Sequence, residues 1–218
     1  MKLKEIWKEV DKLSKEFPSR YNPIMGNGKC KNPKFMLVFI NPTKANISSH
    51  PGWKGFRAPF IGTKPVWRVL HKAGLFNSQL MKVIEKSDTW STFLAEKVYK
   101  SIAKQGLYLT NIVKWTGETA DLPKARKIKA YIPLLKEEIK IVNPKYIVTM
   151  GLIPFEHLTG RKIKLGEYYK EAMKTKKLRT YGLKIDSETY KVIPSYFPVG
   201  RGEPKKAVEI LKLLKKLP

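Results

Sequence analysis

Cysteine is nearly absent from this chain of 218 residues, which carries only Cys30. One cysteine excludes an internal disulfide and any metal or iron–sulfur site that needs four thiolate ligands. Histidine is almost as scarce, and His50, His71 and His157 lack metal-ligand spacing with one another. We therefore expect no metal site and no cofactor.

Acidic residues are also scarce. The chain has 18 Asp and Glu against 44 Lys and Arg, which gives a formal net charge of +26. Such a surplus predicts a polyanionic partner, and nucleic acid is the first expectation. A thermophile-like surface rich in Lys and Glu would carry roughly balanced charges, so it explains the imbalance less well.

Long hydrophobic runs are missing. No apolar segment approaches the roughly 20 residues that a membrane-spanning helix needs. The N-terminal residues MKLKE lack the apolar segment of a signal peptide. We expect a cytoplasmic monomer without a membrane partner, built as one domain over residues 1–218.

The pattern of apolar residues predicts strands that alternate with helices. Residues 35–40 form a continuous apolar run, which is typical of a strand buried on both faces. Further strands are predicted at 107–113 and 146–150, with a hairpin around Asp186 leading to the last strand. Helices are predicted at 2–17, from Pro65 to about 73, and at 91–104, 123–142 and 205–217. Residues 161–180 have weak periodicity, and we interpret them as a mixed, partly mobile insert. This alternation predicts a doubly wound parallel α/β sheet with helices on both faces.

The chain leaves its first long strand at Asn41, which Pro42 follows. Ligands of open α/β sheets bind at the carboxyl ends of the strands, so Asn41 is a candidate for chemistry. The alternative is that Asn-Pro only ends the strand and forms a turn.

Five stretches occur in a fixed order: FINPT at 39–43, APFIG at 58–62, LTNIVK at 109–114, PKYIVTMG at 144–151 and IPSY at 193–196. Together, over roughly residues 34–210, they resemble the uracil-DNA glycosylase superfamily. The resemblance implies a single-domain, three-layer α/β/α fold with a central, mainly parallel four-stranded sheet. It also implies an enzyme that flips out and excises deaminated bases from DNA, chiefly uracil and in some branches hypoxanthine. One branch carries a four-cysteine iron–sulfur cluster, so this chain resembles a cluster-free or divergent branch.

By this resemblance, Phe60 stacks on the flipped base, Asn111 reads its edge, and Ile40 lines the site. An Asn side chain offers both a donor and an acceptor, which suits the adjacent carbonyl and ring N–H of uracil. The alternatives are that Asn111 caps the end of a strand and that Phe60 is ordinary core packing.

The first motif of the superfamily positions the attacking water. The efficient uracil-removing branch has Asp there, whereas the mismatch-specific branch has Asn-Pro, as at Asn41 here. An amide can orient water but cannot act as its base. We therefore expect a slower, monofunctional enzyme that depends on stabilising the leaving group and the sugar cation.

The last motif of the superfamily usually reads His-Pro-Ser, but Ile193 stands at the histidine position. Loss of a donor aimed at developing charge typically costs about 2.7–4 kcal/mol. Arg201 is a candidate substitute that reaches the base or a phosphate, although it is equally well interpreted as a solvated loop charge. Ser195 is a candidate for base binding and Tyr196 for DNA contact.

Two lysines next to the motifs, Lys64 and Lys114, are candidate phosphate contacts, and the alternative is ordinary surface lysines. The missing histidine also keeps a second function open. The protein would then bind or cleave nucleic acid on this scaffold without excising bases.

Overall fold

The strands form one six-stranded sheet in a computed structural model that describes residues 2–119, 121–200 and 202–218. The strands are β1 (Asn27–Gly28), β2 (Phe35–Phe39), β3 (Leu107–Asn111), β4 (Tyr146–Met150), β5 (Tyr181–Ile185) and β6 (Glu188–Ser195). Their order is β1-β3-β2-β4-β6-β5. The four central strands are parallel, while β1 and β5 pair antiparallel at the edges. The predicted, mainly parallel α/β sheet is thus confirmed, with two edge strands added.

Helices cover both faces of this sheet. They are α1 (Leu3–Lys15), α2 (Pro65–Lys72), α3 (Ser78–Lys86), α4 (Thr92–Lys104), α5 (Ala125–Val142), α6 (Leu152–Thr159), α7 (Leu165–Thr175) and α8 (Pro204–Leu214). Several begin at sequence signals, such as Pro65 in the first turn of α2 and the Ser91 side chain that accepts from the Leu94 N–H before α4. In the described residues, no helix is both long and apolar enough to cross a membrane.

The side chains of β2 alternate between two apolar clusters. Leu37 and Phe39 pack with α2, α3, α4 and α8, which form one outer layer. Met36 and Val38 pack with α1, α5, α6 and α7 on the other face. Because successive strand residues point to opposite faces, a strand buried throughout requires both helical layers.

The segment predicted as a mixed, partly mobile insert contains a regular helix. Within residues 161–180, α7 is anchored by the buried Tyr168, whose hydroxyl donates to the Arg179 carbonyl at 3.0 Å. The weak periodicity of this segment therefore conceals a helix of 11 residues. The sequence analysis also missed α3 and α6, whose nine and eight residues give short periodic patterns.

Candidate functional site at the carboxyl edge of the sheet

The carboxyl ends of four parallel strands form one row of side chains. Asn111 at the end of β3 pairs in register with Phe39 of β2, and Met150 of β4 pairs with Ser195 of β6. Register partners in a parallel pair point to the same face. Phe39 and Met150 belong to the apolar cluster under α2, α3, α4 and α8, so Asn111 and Ser195 also point to that face.

The two polar members of this row are buried without partners. Asn111 is 1% exposed and Ser195 is 0% exposed. Within the described part of the chain, the Oδ1 and Nδ2 atoms of Asn111 and the Oγ atom of Ser195 form no hydrogen bond. An unsatisfied buried group typically costs about 1–3 kcal/mol, so native proteins rarely keep one without a reason. Since its side chain bonds nothing, Asn111 does not use it to cap the strand.

Phe60 belongs to the same corner of the sheet. Its half-buried ring packs edge-on against Phe39, the neighbour of Asn111, with 4.6 Å between the ring centroids. Its backbone is left-handed, with φ of 63°, which is uncommon outside glycine. The Phe60 carbonyl accepts from the Trp67 indole N–H at 3.0 Å and from the Thr63 hydroxyl at 3.0 Å. These bonds hold the residue in its strained conformation.

Asn41 lies two residues beyond Phe39, which places it about 7 Å along the chain from the row. Its Nδ2 donates to the Pro42 carbonyl at 3.0 Å. In the part of the chain that the structure describes, no protein donor reaches Oδ1, which is therefore available to accept from water. The Pro42 carbonyl also accepts from the Gly117 N–H, so the loops after β2 and β3 are joined here. A Cβ atom on Gly117 would lie 3.1 Å from Trp115 and 3.5 Å from the Asn41 amide.

Ile40 precedes this junction and is half-buried. Its carbonyl accepts from the Val113 N–H at 3.0 Å, which extends the pairing of β2 and β3 past their ends. The structure thus brings Ile40, Asn41, Phe60 and Asn111 together around the ends of these two strands.

Lys114 occupies a different environment from the one predicted. Its side chain is 1% exposed, and its ammonium pairs with the Glu138 carboxylate at 2.5 Å. It also donates to the Thr110 hydroxyl and to the Asn111 carbonyl. Burial lowers the pKa of Lys114, while Glu138 opposes that shift. The prediction that Lys114 contacts phosphate is therefore wrong, because DNA cannot reach an enclosed and fully bonded ammonium.

The sequence analysis missed Glu138, which is fully buried on α5. A signal was present, because Glu138 lies among Leu135, Ile139 and Val142 on the apolar face of that helix. A carboxylate in such a stripe predicts a buried cationic or hydrogen-bonding partner.

Lys64 and Tyr196 are both partly exposed. The Lys64 ammonium donates to the Glu85 carbonyl at 2.8 Å, close to the Arg68–Glu85 ion pair. Tyr196 is half-buried, with its ring edge-on to Tyr169. Their contacts with DNA stay predictions, and Arg201 lies outside the described residues.

Ile193, at the histidine position of the last motif, is completely buried in β6. It pairs in register with Val148 and packs in the apolar cluster one row behind Ser195. An imidazole at this position would enter the core instead of facing solvent.

Among the described residues, no group of three or more His, Cys, Asp or Glu side chains is arranged to hold a metal ion. The single thiol of the chain also does not fit the four-thiolate ligand set of the cluster-carrying branch.

The fold is that of an α/β protein, and among its described residues an unpaired buried amide lies close to an aromatic ring at the carboxyl edge of the parallel sheet, the edge where open α/β folds bind ligands. The model of the uracil DNA glycosylase superfamily matches residues 25–217, and the chain belongs to that superfamily. One relative is the Type-4 uracil-DNA glycosylase of Sulfurisphaera tokodaii. The two are 25% identical over 198 residues, which cover 90% of this chain and 74% of the relative.

Proposed function

We propose that this protein is a monofunctional DNA glycosylase that flips a deaminated base, chiefly uracil, out of DNA and hydrolyses its N-glycosidic bond. The observation that carries the proposal is the buried Asn111 amide, whose donor and acceptor both lack a partner among residues 2–119, 121–200 and 202–218. A superfamily match over residues 25–217 supports the class of reaction.

Asn111 supplies the recognition of the base. Its Nδ2 donates to a carbonyl of uracil and its Oδ1 accepts from the adjacent ring N–H. Cytosine presents an amino group and an unprotonated ring nitrogen instead, so the same amide orientation cannot satisfy it. Hypoxanthine carries a carbonyl next to a ring N–H, as uracil does, and is the second substrate that we propose.

Phe60 and Ser195 complete the base pocket in this proposal. Stacking on an aromatic ring contributes about 1–3 kcal/mol per base, and Phe60 is half-buried with its edge against Phe39. Asn111 and Ser195 are separated by three strand spacings, about 14 Å between their Cα atoms. Phe39 and Met150 occupy the row between them, so we propose that the base lies over these two side chains and that the unpaired Ser195 hydroxyl contacts its far edge.

The reaction breaks the bond between the sugar C1′ and the base nitrogen, and the bonding electrons leave with the base. The oxygen of a water molecule bonds to C1′, and its proton passes to solvent. Asn41 orients this water by accepting one of its hydrogens through Oδ1, and it does not take the proton. The Asn111 donor faces the base oxygen on which negative charge grows, so its bond strengthens as the bond to the sugar breaks.

A lyase step would need a nucleophilic amine at the site. Lys114 is the lysine nearest Asn111 in sequence, and its ammonium already donates to three acceptors inside the core. This arrangement supports a monofunctional enzyme.

The formal charge of +26 supports DNA as the partner. Affinity for undamaged DNA should fall steeply as salt rises, because each neutralised phosphate releases counterions. We propose surface contacts at Lys64, Tyr196 and Arg201, made by a monomer.

The buried Ile193 favours one alternative, since the usual donor of the last motif is missing. Under that alternative the protein binds or cleaves nucleic acid without removing bases.

A labelled duplex with a single uracil separates the two functions. After incubation and alkali treatment, a break only at uracil supports the glycosylase. Matched duplexes with thymine or cytosine at the same position are the controls, and a hypoxanthine duplex tests the second substrate. Binding without a break, or metal-dependent shortening of the thymine control, would support the alternative and overturn the proposal.

A further inference from the structure

A buried ion pair lies directly behind Asn111, on the opposite face of β3 from the Asn111 side chain. Thr110 points to that face, where its hydroxyl donates to Glu138 of α5 at 2.9 Å. Asn111, one residue later, points to the face that carries Phe39. We infer that Lys114 and Glu138 are positioning residues that fix Asn111 for base recognition, an inference that rests on the proposed function.

Every donor of the Lys114 ammonium is used. It donates to Glu138 Oε2 at 2.5 Å, to the Asn111 carbonyl at 2.7 Å and to the Thr110 hydroxyl. Glu138 Oε1 in turn accepts from the Tyr108 hydroxyl at 2.8 Å and from Thr110. The pair therefore ties three residues of β3, Tyr108, Thr110 and Asn111, to helix α5.

Asn111 depends on this support because its own side chain bonds nothing. Its orientation is set by the backbone at the end of β3, where the chain departs from the sheet. The Lys114 ammonium holds that backbone through the Asn111 carbonyl and spans the following turn. An amide without protein partners can read a base only if the backbone carrying it is fixed, since a misplacement of about 1 Å can cost about 100-fold in rate.

Stability alone does not explain the pair. Removing two charges from water is costly, and replacing a buried ion pair with neutral side chains of similar size is often neutral or stabilising. The Lys114 and Glu138 side chains are 1% and 0% exposed. Because Lys114 also bonds the backbone carbonyl of Asn111, the pair is better explained by the geometry that it imposes on that residue.

The test variant is the double substitution Lys114→Met and Glu138→Gln. It leaves no buried charge, and the new amide still accepts from Tyr108 and Thr110. We expect a folded protein with unchanged affinity for undamaged DNA and a loss of about 10- to 100-fold in uracil excision. Lys140→Met is the control, because it removes a lysine of α5 that pairs with Glu137 and Asp186 and not with Glu138.

A double-mutant cycle separates positioning from general structural support. If the pair acts through Asn111, the double substitution should cause no further loss of excision in an Asn111→Ala background. A purely structural role would lower the rate by the same factor in both backgrounds. Thr110→Val keeps the shape of the side chain and should give a smaller loss of uracil excision, with the same dependence on Asn111. This single variant replaces the double variant if the double variant does not fold.

The outcomes distinguish this inference from the proposed function. A wild-type protein that leaves uracil in place overturns the proposed function. An active wild type whose charge-free variant excises at the wild-type rate overturns only the positioning role. Equal losses in both Asn111 backgrounds also overturn it.

Discussion

Phe39 lies beside Asn111 on the neighbouring parallel strand, and its ring packs edge-on against Phe60. This contact ties the loop before α2 to the ends of β2 and β3. The Phe60 ring and the Asn111 amide, to which we assign base stacking and base reading in the proposed function, are thereby held at one edge of the sheet by two separate parts of the sequence.

Replacing Asn111 with Ala should lower uracil excision by at least about 100-fold, because it removes the donor aimed at developing charge. Affinity for undamaged DNA should persist, since phosphate contacts supply it. Excision kinetics and salt-dependent binding of a uracil-free duplex measure the two effects.

The same substitution should not lower the free energy of unfolding, because it removes a buried amide that has no hydrogen-bond partner among the described residues and costs the folded state about 1–3 kcal/mol. Asn77→Ala is the contrasting control. It removes an amide that caps α3 by accepting from the Leu80 N–H, so it should cost about 1 kcal/mol without slowing excision. Full excision by Asn111→Ala would show that the base-reading role is wrongly assigned.

Phe60→Ala and Phe60→Gly form a second test, because both remove the stacking ring but only Gly suits the left-handed backbone. Both should raise KM for uracil-containing DNA, since stacking contributes about 1–3 kcal/mol per base. The Gly variant should be more stable than the Ala variant by about 1 kcal/mol. Steady-state kinetics and urea unfolding provide these values. An unchanged KM in both variants would reduce Phe60 to a packing residue.

Asn41→Asp should raise kcat at neutral pH by at least about tenfold, because a carboxylate can accept the proton that an amide only orients. The pH–rate profile should gain an acidic limb as the new carboxyl group is protonated. Ala45→Asp adds the same charge at an exposed position four residues away and should not accelerate the reaction. If Asn41→Asp is no faster than wild type, water is not positioned at this residue.

The order of most strands and helices could be predicted because it follows from local sequence patterns. Residues 35–39 are apolar at every position, and Pro65 marks the start of α2, so neither depends on distant contacts. The residues of the proposed site were predictable only through ordered motifs. Their alignment in one row depends on strand order, which brings residues 39 and 111 together across 72 positions of sequence.

Lys114 shows where sequence reasoning failed. A lysine after a strand in a chain with 44 basic residues resembles every other surface lysine. Its burial is decided by Glu138, which lies 24 residues away on α5 and meets it only after the helix packs on the sheet. The pairing of these two charges depends on tertiary contacts and leaves no local pattern in the sequence.

At alkaline pH the free energy of unfolding should depend on the protonation of Tyr131. This residue of α5 packs against α1, where it is hydrogen-bonded to Ser14 at 2.7 Å. Burial raises the pKa of Tyr131 from 10.0 to about 12. Between these values the unfolded chain has lost the phenol proton while the folded protein keeps it, so the free energy of unfolding falls as pH rises.

Tyr131→Phe should be destabilised by about 1 kcal/mol at pH 8, through loss of the bond to Ser14. The difference between the two proteins should shrink as pH rises above about 10, because only the wild type carries this titration. Urea unfolding of both proteins at several pH values measures the trend. A stability difference that does not vary with pH would show that the folded protein does not hold this proton more tightly.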